Sequence, residues 1–201
     1  MISRTVADLV EKNKGIKSEL FPDPGYEIID NYIPEDELKK IQDLLIINHQ
    51  FPWFRSHTVA WNDTVKDDIT PEHLSYFGHI LYGNFSERDR NANRGLSEHF
   101  EPLYNILMSS LQPIKSLLRI KVNLYPFTET LWEHAPHFDW PFPHYLGVFM
   151  VNDCDGYTKL NDGTKIDSIA NRLLITDGSI LHSSTTTTND KVRVTIGMNW
   201  L

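Results

Sequence analysis

From residue 119 to the end of the chain, apolar and polar residues alternate. Apolar side chains occupy every second position, as in Ile120, Val122 and Leu124, and a period of two is typical of half-buried β-strands. Turn signals rich in Asp, Asn and Gly separate the alternating segments from one another. The pattern therefore predicts eight short strands, at residues 119–125, 134–140, 145–151, 157–160, 164–168, 172–176, 179–183 and 191–200.

The N-terminal half of the chain follows helical spacing in several places. An early proline and three acidic residues open a helix over residues 33–49, whose apolar residues recur every three or four positions. Prolines at positions 102 and 113 limit a helix, or a broken pair of helices, over residues 97–118. We also expect a short helix at 2–14, a short strand at 26–30, an irregular aromatic strand at 51–61, and a loop-rich region at 62–94 with one short helix after Thr70.

Together these patterns predict an α+β fold that is mainly β. Short strands in close succession indicate a double-stranded β-helix, or jelly roll, over residues 119–201. The helices and loops of residues 1–118 would then support this jelly roll by packing on one of its sheets. At 201 residues we expect a single domain with a sizeable hydrophobic core.

The composition narrows the possible partners and the compartment. The formal net charge is −8 and there is no long basic run, which disfavours binding to nucleic acid or to an anionic membrane. The longest clean apolar segment, residues 146–151, is far too short to span a membrane, and residues 1–15 lack the apolar stretch of a secretory signal. The single cysteine, Cys154, suits a reducing compartment, so we expect a cytoplasmic protein.

The predicted last strand has two different faces. Apolar residues occupy the even positions from 192 to 200, whereas Arg193, Thr195, Gly197 and Asn199 share the other face. The apolar face should pack on the helices, and in a closed barrel the polar face points inwards. Because an unpaired buried charge is costly, an arginine there needs an anionic partner. We therefore expect Arg193 to bind a carboxylate, which a planar guanidinium suits.

Two histidines and an aspartate in the same region could bind a metal ion. Side chains two apart on a strand point the same way, so His137 and Asp139 would share a face. With His182 they would form two histidines and one carboxylate, the facial ligand set of non-haem Fe(II); these three residues are called the triad below. His134 is an alternative to His137. Residues 99–101 repeat the His-x-acid pattern, but in a helix residues two apart do not face each other.

Four motifs in order along the chain resemble the catalytic core of the 2-oxoglutarate- and Fe(II)-dependent oxygenases, nearest the prolyl-4-hydroxylase-like branch. The resemblance implies that the triad holds iron and that Arg193 and Thr195 bind the distal carboxylate of 2-oxoglutarate. Tyr125 and Asn123 on the first barrel strand would assist in binding 2-oxoglutarate. Lys121 is an alternative to Arg193 as the residue that binds the distal carboxylate. The motifs are His137-x-Asp139, Asp155-Gly156-Tyr157-Thr158, residues 171–175 leading to His182, and Arg193-x-Thr195 before Asn199-Trp200.

The resemblance also implies an activity. Such an enzyme uses Fe(II), 2-oxoglutarate and O₂ to oxidise a C–H bond of its substrate, by hydroxylation in our interpretation, and it releases succinate and CO₂. The alternatives are a cupin-like metal-binding protein or isomerase without redox chemistry, and a non-catalytic interaction domain. The substrate would be a small molecule or a peptidyl residue that the sequence does not identify. Trp140 should lie at the barrel rim, where it either lines the substrate site or covers the core.

Overall fold

A computed structural model describes residues 13, 16–57, 59, 75–83, 96–111 and 113–201 of the chain. Within these ranges the chain forms ten β-strands, two α-helices and one turn of π-helix. In chain order they are β1 (Tyr26–Ile29), α1 (Glu35–Gln42), the π-helical turn (Asp43–Ile47), β2 (Phe54–Ser56), β3 (Tyr76–Gly83), α2 (Phe100–Met108), β4 (Leu117–Pro126), β5 (Tyr145–Met150), β6 (Tyr157–Leu160), β7 (Lys165–Asp167), β8 (Arg172–Asp177), β9 (His182–Ser184) and β10 (Val192–Trp200).

The strands build two antiparallel sheets. The larger sheet has seven strands in the order β1-β8-β5-β10-β4-β3-β2, and the smaller has three in the order β7-β6-β9. Strand β10 lies at the centre of the larger sheet, between β5 and β4. Its register with β4 places Arg193 beside Tyr125 and Thr195 beside Asn123. A mainly β architecture of antiparallel strands agrees with the prediction.

The apolar face of β10 packs against the helices, as predicted. Val194, Ile196 and Met198 belong to one buried hydrophobic cluster with residues from both helices, and each fully buried side chain of this kind contributes about 1.5–3 kcal/mol. Buried residues recur three positions apart in α1 and four apart in α2, so one face of each helix meets the sheet. The helical members of the cluster include Leu38, Ile41, Leu103 and Leu107.

No helix in the described ranges is long and apolar enough to cross a membrane.

The polar face of β10 is buried as well. Arg193 and Asn199 are fully buried, and Thr195 is almost so. The guanidinium of Arg193 donates a hydrogen bond to the hydroxyl of Thr158, which lies on β6 of the smaller sheet. The two sheets therefore meet across the polar face of β10, which lies in the interior as predicted.

Gly156 makes this close approach possible. A Cβ atom at Gly156 would lie 2.5 Å from Cδ of Arg193 and 2.7 Å from the carbonyl oxygen of Thr186. A backbone atom cannot move aside in the way that the end of a flexible side chain can. Only glycine therefore fits where the loop before β6 passes over the buried arginine.

The prediction of a regular strand over residues 134–140 is wrong. This segment is irregular, and its one bridge to the smaller sheet pairs His137 with His182. Pro136 provides no N–H group for a continuous ladder, which is one physical reason for the interruption. The strand predicted at 179–183 begins later, as β9, where it pairs with β6.

Other boundaries also differ from the prediction. Strand β3 lies within residues 62–94, where no clear pattern was readable, because most of its side chains are buried and so do not alternate. The helix predicted over 97–118 is α2 alone, since β4 already begins at Leu117. The helix over 33–49 is confirmed as α1 with the π-helical turn. The short helices predicted at 2–14 and after Thr70 fall largely outside the described residues.

Candidate metal centre

A pair of main-chain hydrogen bonds brings the two histidines of the triad together. The N–H of His137 donates to the carbonyl of His182 at 3.0 Å, and the N–H of His182 donates to the carbonyl of His137 at 2.8 Å. The centroids of the two rings lie 4.6 Å apart. The N–H of Asp139 donates to the carbonyl of Gly178 at 2.9 Å, which fixes the third residue beside the turn that precedes β9. One ligand atom from each residue of the triad lies within 4.8 Å of the others.

Both carboxylate oxygens of Asp139 are held by hydrogen bonds. The guanidinium of Arg119 donates to Oδ1 at 2.6 Å, and the side-chain amide of Asn199 donates to Oδ2 at 2.7 Å. Nε of Arg119 also donates to Oδ1 of Asn199 at 3.1 Å, which fixes the two donors relative to each other. Burial by itself would raise the pKa of the Asp139 carboxyl, but the positive charge of Arg119, together with the hydrogen bond from Asn199, outweighs burial and lowers that pKa. Asp139 is therefore a carboxylate at neutral pH.

His137 is suited to bind a metal as a neutral imidazole, and a hydrogen bond orients the ring of His182. Burial, together with the proximity of His182, lowers the pKa of His137 to about 3. Nδ1–H of His182 donates to the carbonyl of Ile180 at 3.0 Å, so its Nε2 is the nitrogen left to coordinate. Within the described part of the chain, Nδ1 of His137 is buried and has no hydrogen-bond partner. A buried nitrogen without a partner, beside a carboxylate and a second imidazole, fits a metal-binding site.

The triad opens into a cavity of about 260 Å³, called the polar cavity below. Strands β4 and β10 supply one wall, and the irregular segment with His137 and the start of β9 supply the other. All the residues that the sequence analysis selected for metal, cosubstrate and substrate line this cavity. They are His137, Asp139, His182, Arg193, Thr195, Tyr125, Asn123, Lys121 and Trp140.

Arg193 is held inside the protein by neutral groups. Its Nε donates to the hydroxyl of Ser168 at 2.8 Å, and its two terminal nitrogens donate to the carbonyl of Thr185 at 3.3 Å and to the hydroxyl of Thr158 at 3.0 Å. The guanidinium also lies 5.4 Å from the ring centroid of Tyr125. Among the ion pairs of the described residues, none involves Arg193. Burial lowers the pKa of its guanidinium, because the charged form has lost its water.

Lys121 lies in the same cavity in a different environment. Its Nζ donates to the hydroxyl of Tyr76 at 2.6 Å and lies 5.0 Å from the centroid of that ring. The ring of Tyr76 stacks on Tyr125, with centroids 5.8 Å apart. Sequence reasoning missed Tyr76 because it belongs to β3, which had no readable pattern.

Trp140 and His144 complete the surroundings of Asp139. The ring of Trp140 lies 4.8 Å from the guanidinium carbon of Arg119 and meets the ring of His144 edge-on. His144 donates from Nδ1 to the carbonyl of Phe142 and accepts from Asn199 at Nε2. A Cβ atom at Gly178 would come within 2.2 Å of that Nε2, so the close packing of the imidazole requires glycine there. Whether Trp140 contacts a substrate stays a prediction.

The structure separates the other candidate ligands from the triad. His134 is buried and its Nδ1 lies 2.9 Å from the hydroxyl of Ser184, and it is not a member of the ligand cluster. His99 lies instead in an aromatic group with Phe51 and His79. The most important residue that sequence reasoning missed is Arg119. It was noticed only as the start of a strand, and nothing local marks it as a partner of Asp139, which follows 20 positions later.

Neither the family models nor the curated proteins include a match to this sequence. Solved structures do resemble it. A prolyl hydroxylase from Trichoplax adhaerens, in complex with a hypoxia inducible factor oxygen degradation domain peptide, has a TM-score of 0.58 at 15% identity, over 89% of this chain and 84% of that chain. A prolyl-4-hydroxylase from Pseudomonas putida has a TM-score of 0.53 at 12% identity, over 97% of this chain and 98% of that chain.

The likeness extends to an enzyme with a different reaction. A non-haem alpha-ketoglutarate-dependent epimerase from nogalamycin biosynthesis has a TM-score of 0.57 at 12% identity, over 88% of this chain and 78% of that chain. The TM-scores show that the chain shares the fold of these proteins, and at identities this low they show the fold alone. They do not transfer a substrate or a reaction, because function depends on the individual site.

Proposed function

Because the chain shares its fold with prolyl hydroxylases and an alpha-ketoglutarate-dependent epimerase, we propose that it is a 2-oxoglutarate- and Fe(II)-dependent dioxygenase. One observation carries this proposal: the triad and a buried arginine that has no carboxylate partner among the described residues line the same cavity. Two imidazoles and one carboxylate are the ligand set of non-haem Fe(II) oxygenases. An unpaired buried guanidinium is costly until an anion binds to it.

The triad is the proposed iron site. His137 is neutral and Asp139 is ionised at neutral pH, which are the protonation states that a metal requires of these ligands. Arg119 and Asn199 fix the orientation of the Asp139 carboxylate, and the carbonyl of Ile180 fixes the ring of His182. When bound, Fe(II) with 2-oxoglutarate and O₂ supplies the oxidation of a substrate C–H bond, with release of succinate and CO₂.

Arg193 is the proposed anchor for the distal carboxylate of 2-oxoglutarate, with Thr195 beside it. Each terminal nitrogen of the guanidinium has two hydrogens and donates one to the protein, so each retains one for a carboxylate. Two parallel N–H donors are the arrangement that binds a carboxylate in bidentate fashion. Tyr125 and Asn123 are paired with these residues across the sheet and would contact the same cosubstrate.

We further propose that the two sheets form the jelly roll expected from the sequence and that the reaction is a hydroxylation of a small molecule or a peptidyl residue. The pairing of β6 with β9, opposite the larger sheet, supports the first part. Analysis of the oxidised product by mass spectrometry tests the second part, since hydroxylation adds one oxygen atom and epimerisation adds none.

The conversion of 2-oxoglutarate to succinate tests the proposed function directly. Purified protein with Fe(II), ascorbate, O₂ and 2-oxoglutarate should form succinate slowly even without a substrate. A cupin-like protein without redox chemistry would form none, so the absence of succinate above the iron-only background would contradict the proposal.

Two histidine variants control this experiment. His137→Ala removes one proposed ligand and should reduce succinate formation to background while the far-ultraviolet circular dichroism stays that of a folded protein. His49→Ala is the matched control, because His49 is exposed beyond the π-helical turn and far in sequence from the triad. Full activity in His137→Ala would remove that residue from the metal site.

A further inference from the structure

The polar cavity has an excess of positive charge. Among the described residues that line it, the cations are Arg119, Lys121 and Arg193, and Asp139 is the one carboxylate. Arg119 pairs with Asp139 at 2.6 Å. No ion pair among the described residues involves Lys121 or Arg193. A cleft lined by charges of one sign raises the local concentration of ligands of the opposite sign.

The ligands of the proposed function do not neutralise this excess. This step rests on the proposed function, because it counts the charges of Fe(II) and 2-oxoglutarate. Asp139 and the keto-acid carboxylate balance the two charges of the iron, and the distal carboxylate balances Arg193. With Arg119 and Lys121 still present, the described lining of the filled cavity retains about two positive charges that a substrate would meet.

The sheet register places the main chain of Lys121 at the level of Gly197, in the middle of the polar face of β10. Lys121 is paired with Gly197, which lies two residues after Thr195 on β10 and two residues before Asn199. Asn199 in turn binds Asp139. Arg193 and Gly197 are four residues apart, or about 13 Å along a strand. A Cβ atom at Gly197 would have no neighbouring atom closer than 3.8 Å, so the cavity is open at this level.

The ammonium group of Lys121 is fixed and has donors to spare. The hydroxyl of Tyr76 accepts one hydrogen bond from Nζ, and an ammonium has three N–H donors. The stacking of Tyr76 on Tyr125 fixes the position of that hydroxyl. The remaining donors lack an anionic partner among the described residues.

We propose that Lys121 binds an anionic group of the substrate, a carboxylate or a phosphate ester. The substrate class is therefore a small acidic molecule, or an acidic residue, whose charged group lies within a few bonds of the carbon that is oxidised. Because Lys121 and Arg193 are held by separate partners on different strands, they give the cavity two cationic groups, one for the cosubstrate and one for the substrate.

Anion binding without turnover tests this proposal. Protein loaded with one equivalent of Zn(II), which has no redox chemistry, is saturated with 2-oxoglutarate and titrated by calorimetry with inorganic phosphate or with acetate. The protein should bind at least one of these probes at a single saturable site. Lys121→Met should raise the Kd of that probe about tenfold or more, whereas Lys121→Arg should retain most of the affinity. Lys40→Met, which removes an exposed lysine of α1, is the matched control and should leave the Kd unchanged.

Three results would overturn the proposal. They are the absence of saturable binding of both probes, an equal loss of binding in Lys121→Met and Lys40→Met, and a larger increase in the Kd of 2-oxoglutarate for Lys121→Met than for Arg193→Met. The last result would make Lys121 the cosubstrate anchor. The outcome is separate from that of the proposed function, because the titration measures binding alone, whereas failure of succinate formation by the unmodified protein would overturn the oxygenase assignment.

Discussion

Arg193 is a fully buried residue whose charge has no ion-pair partner among the described residues. Hydroxyl and carbonyl groups on neighbouring loops and on β6 satisfy three of its N–H donors. Neutral acceptors compensate only part of the free energy that is lost when a charge leaves water. The residue is therefore better explained by an anionic ligand than by a contribution to the stability of the fold.

Replacement of Arg193 by lysine tests whether the guanidinium binds a carboxylate through two parallel hydrogen bonds. Arg193→Lys keeps the charge but cannot form two parallel hydrogen bonds to a carboxylate. Loss of a hydrogen bond between charged groups costs about 1.5–3 kcal/mol, so we expect the KM for 2-oxoglutarate to rise by roughly tenfold to a hundredfold. The measurement is the dependence of succinate formation on 2-oxoglutarate. An unchanged KM in Arg193→Ala together with a strongly raised KM in Lys121→Ala would move the cosubstrate anchor to β4.

The position of the Asp139 carboxylate matters as much as its charge. Asp139→Glu retains the charge, but its extra methylene displaces the oxygens from Arg119 and Asn199. We expect the affinity for Co(II), a spectroscopic substitute for Fe(II), to fall by about tenfold to a hundredfold. Optical titration measures this affinity, and Asp43→Glu at the exposed start of the π-helical turn is the control. Unchanged Co(II) binding in Asp139→Glu would show that the carboxylate does not coordinate.

At the scale of elements, long-range pairs determine how each element contributes to the site. Strand β4 provides Arg119 for the aspartate of the triad, and β10 provides Asn199 for the same carboxylate. The helices stabilise this pair of strands from the opposite face. One side-chain hydrogen bond connects the start of the helical layer to its end, from the hydroxyl of Tyr32 before α1 to the carbonyl of Leu107 in α2, at 2.5 Å.

The ionisation of Tyr32 gives a test of that connection. Burial raises its pKa to about 12, whereas a tyrosine in the unfolded chain ionises near 10. Between these values the folded protein binds the proton that the unfolded chain has lost, so the free energy of unfolding should fall as pH rises from about 10 towards 12. Tyr32→Phe should lose about 0.5–1.5 kcal/mol at neutral pH and show a shallower fall at high pH. Urea denaturation at several pH values measures both effects, and parallel pH profiles would contradict the assignment.

At the scale of the whole molecule, the two faces of the larger sheet have different roles. One face packs on the helices through a continuous hydrophobic cluster, and the other lines the polar cavity. The first face provides stability, because it buries apolar area. The second buries an arginine, histidines and an aspartate, whose desolvation opposes folding until ligands bind.

Metal binding should therefore stabilise the whole protein. An ion that binds only the folded state at a concentration a hundred times its Kd adds about 2.7 kcal/mol to the free energy of unfolding. For a chain of this size we expect the Tm to rise by roughly 5–10 °C when Co(II) is added to protein treated with a chelator. Differential scanning calorimetry measures this shift, and Asp139→Ala should show little of it. An equal shift in Asp139→Ala would mean that the ion binds elsewhere.

The sequence by itself determined the features that depend on local periodicity and on residue type. The two faces of β10 were readable because one is buried among apolar helices and the other is polar, so that the alternation is complete. The candidate ligands and Arg193 were readable because few residue types bind iron or a carboxylate.

Tertiary structure decided the features that depend on residues distant in sequence. It paired Arg119 with Asp139, placed Tyr76 of β3 beside Lys121, and joined His137 to His182 through a single bridge where a strand was expected. It also determined that most positions of β3 are buried, so this strand has no alternation of apolar and polar residues that the sequence could reveal. Strand register and the approach of the two sheets set these contacts, and both result from packing of the whole chain rather than from any local pattern.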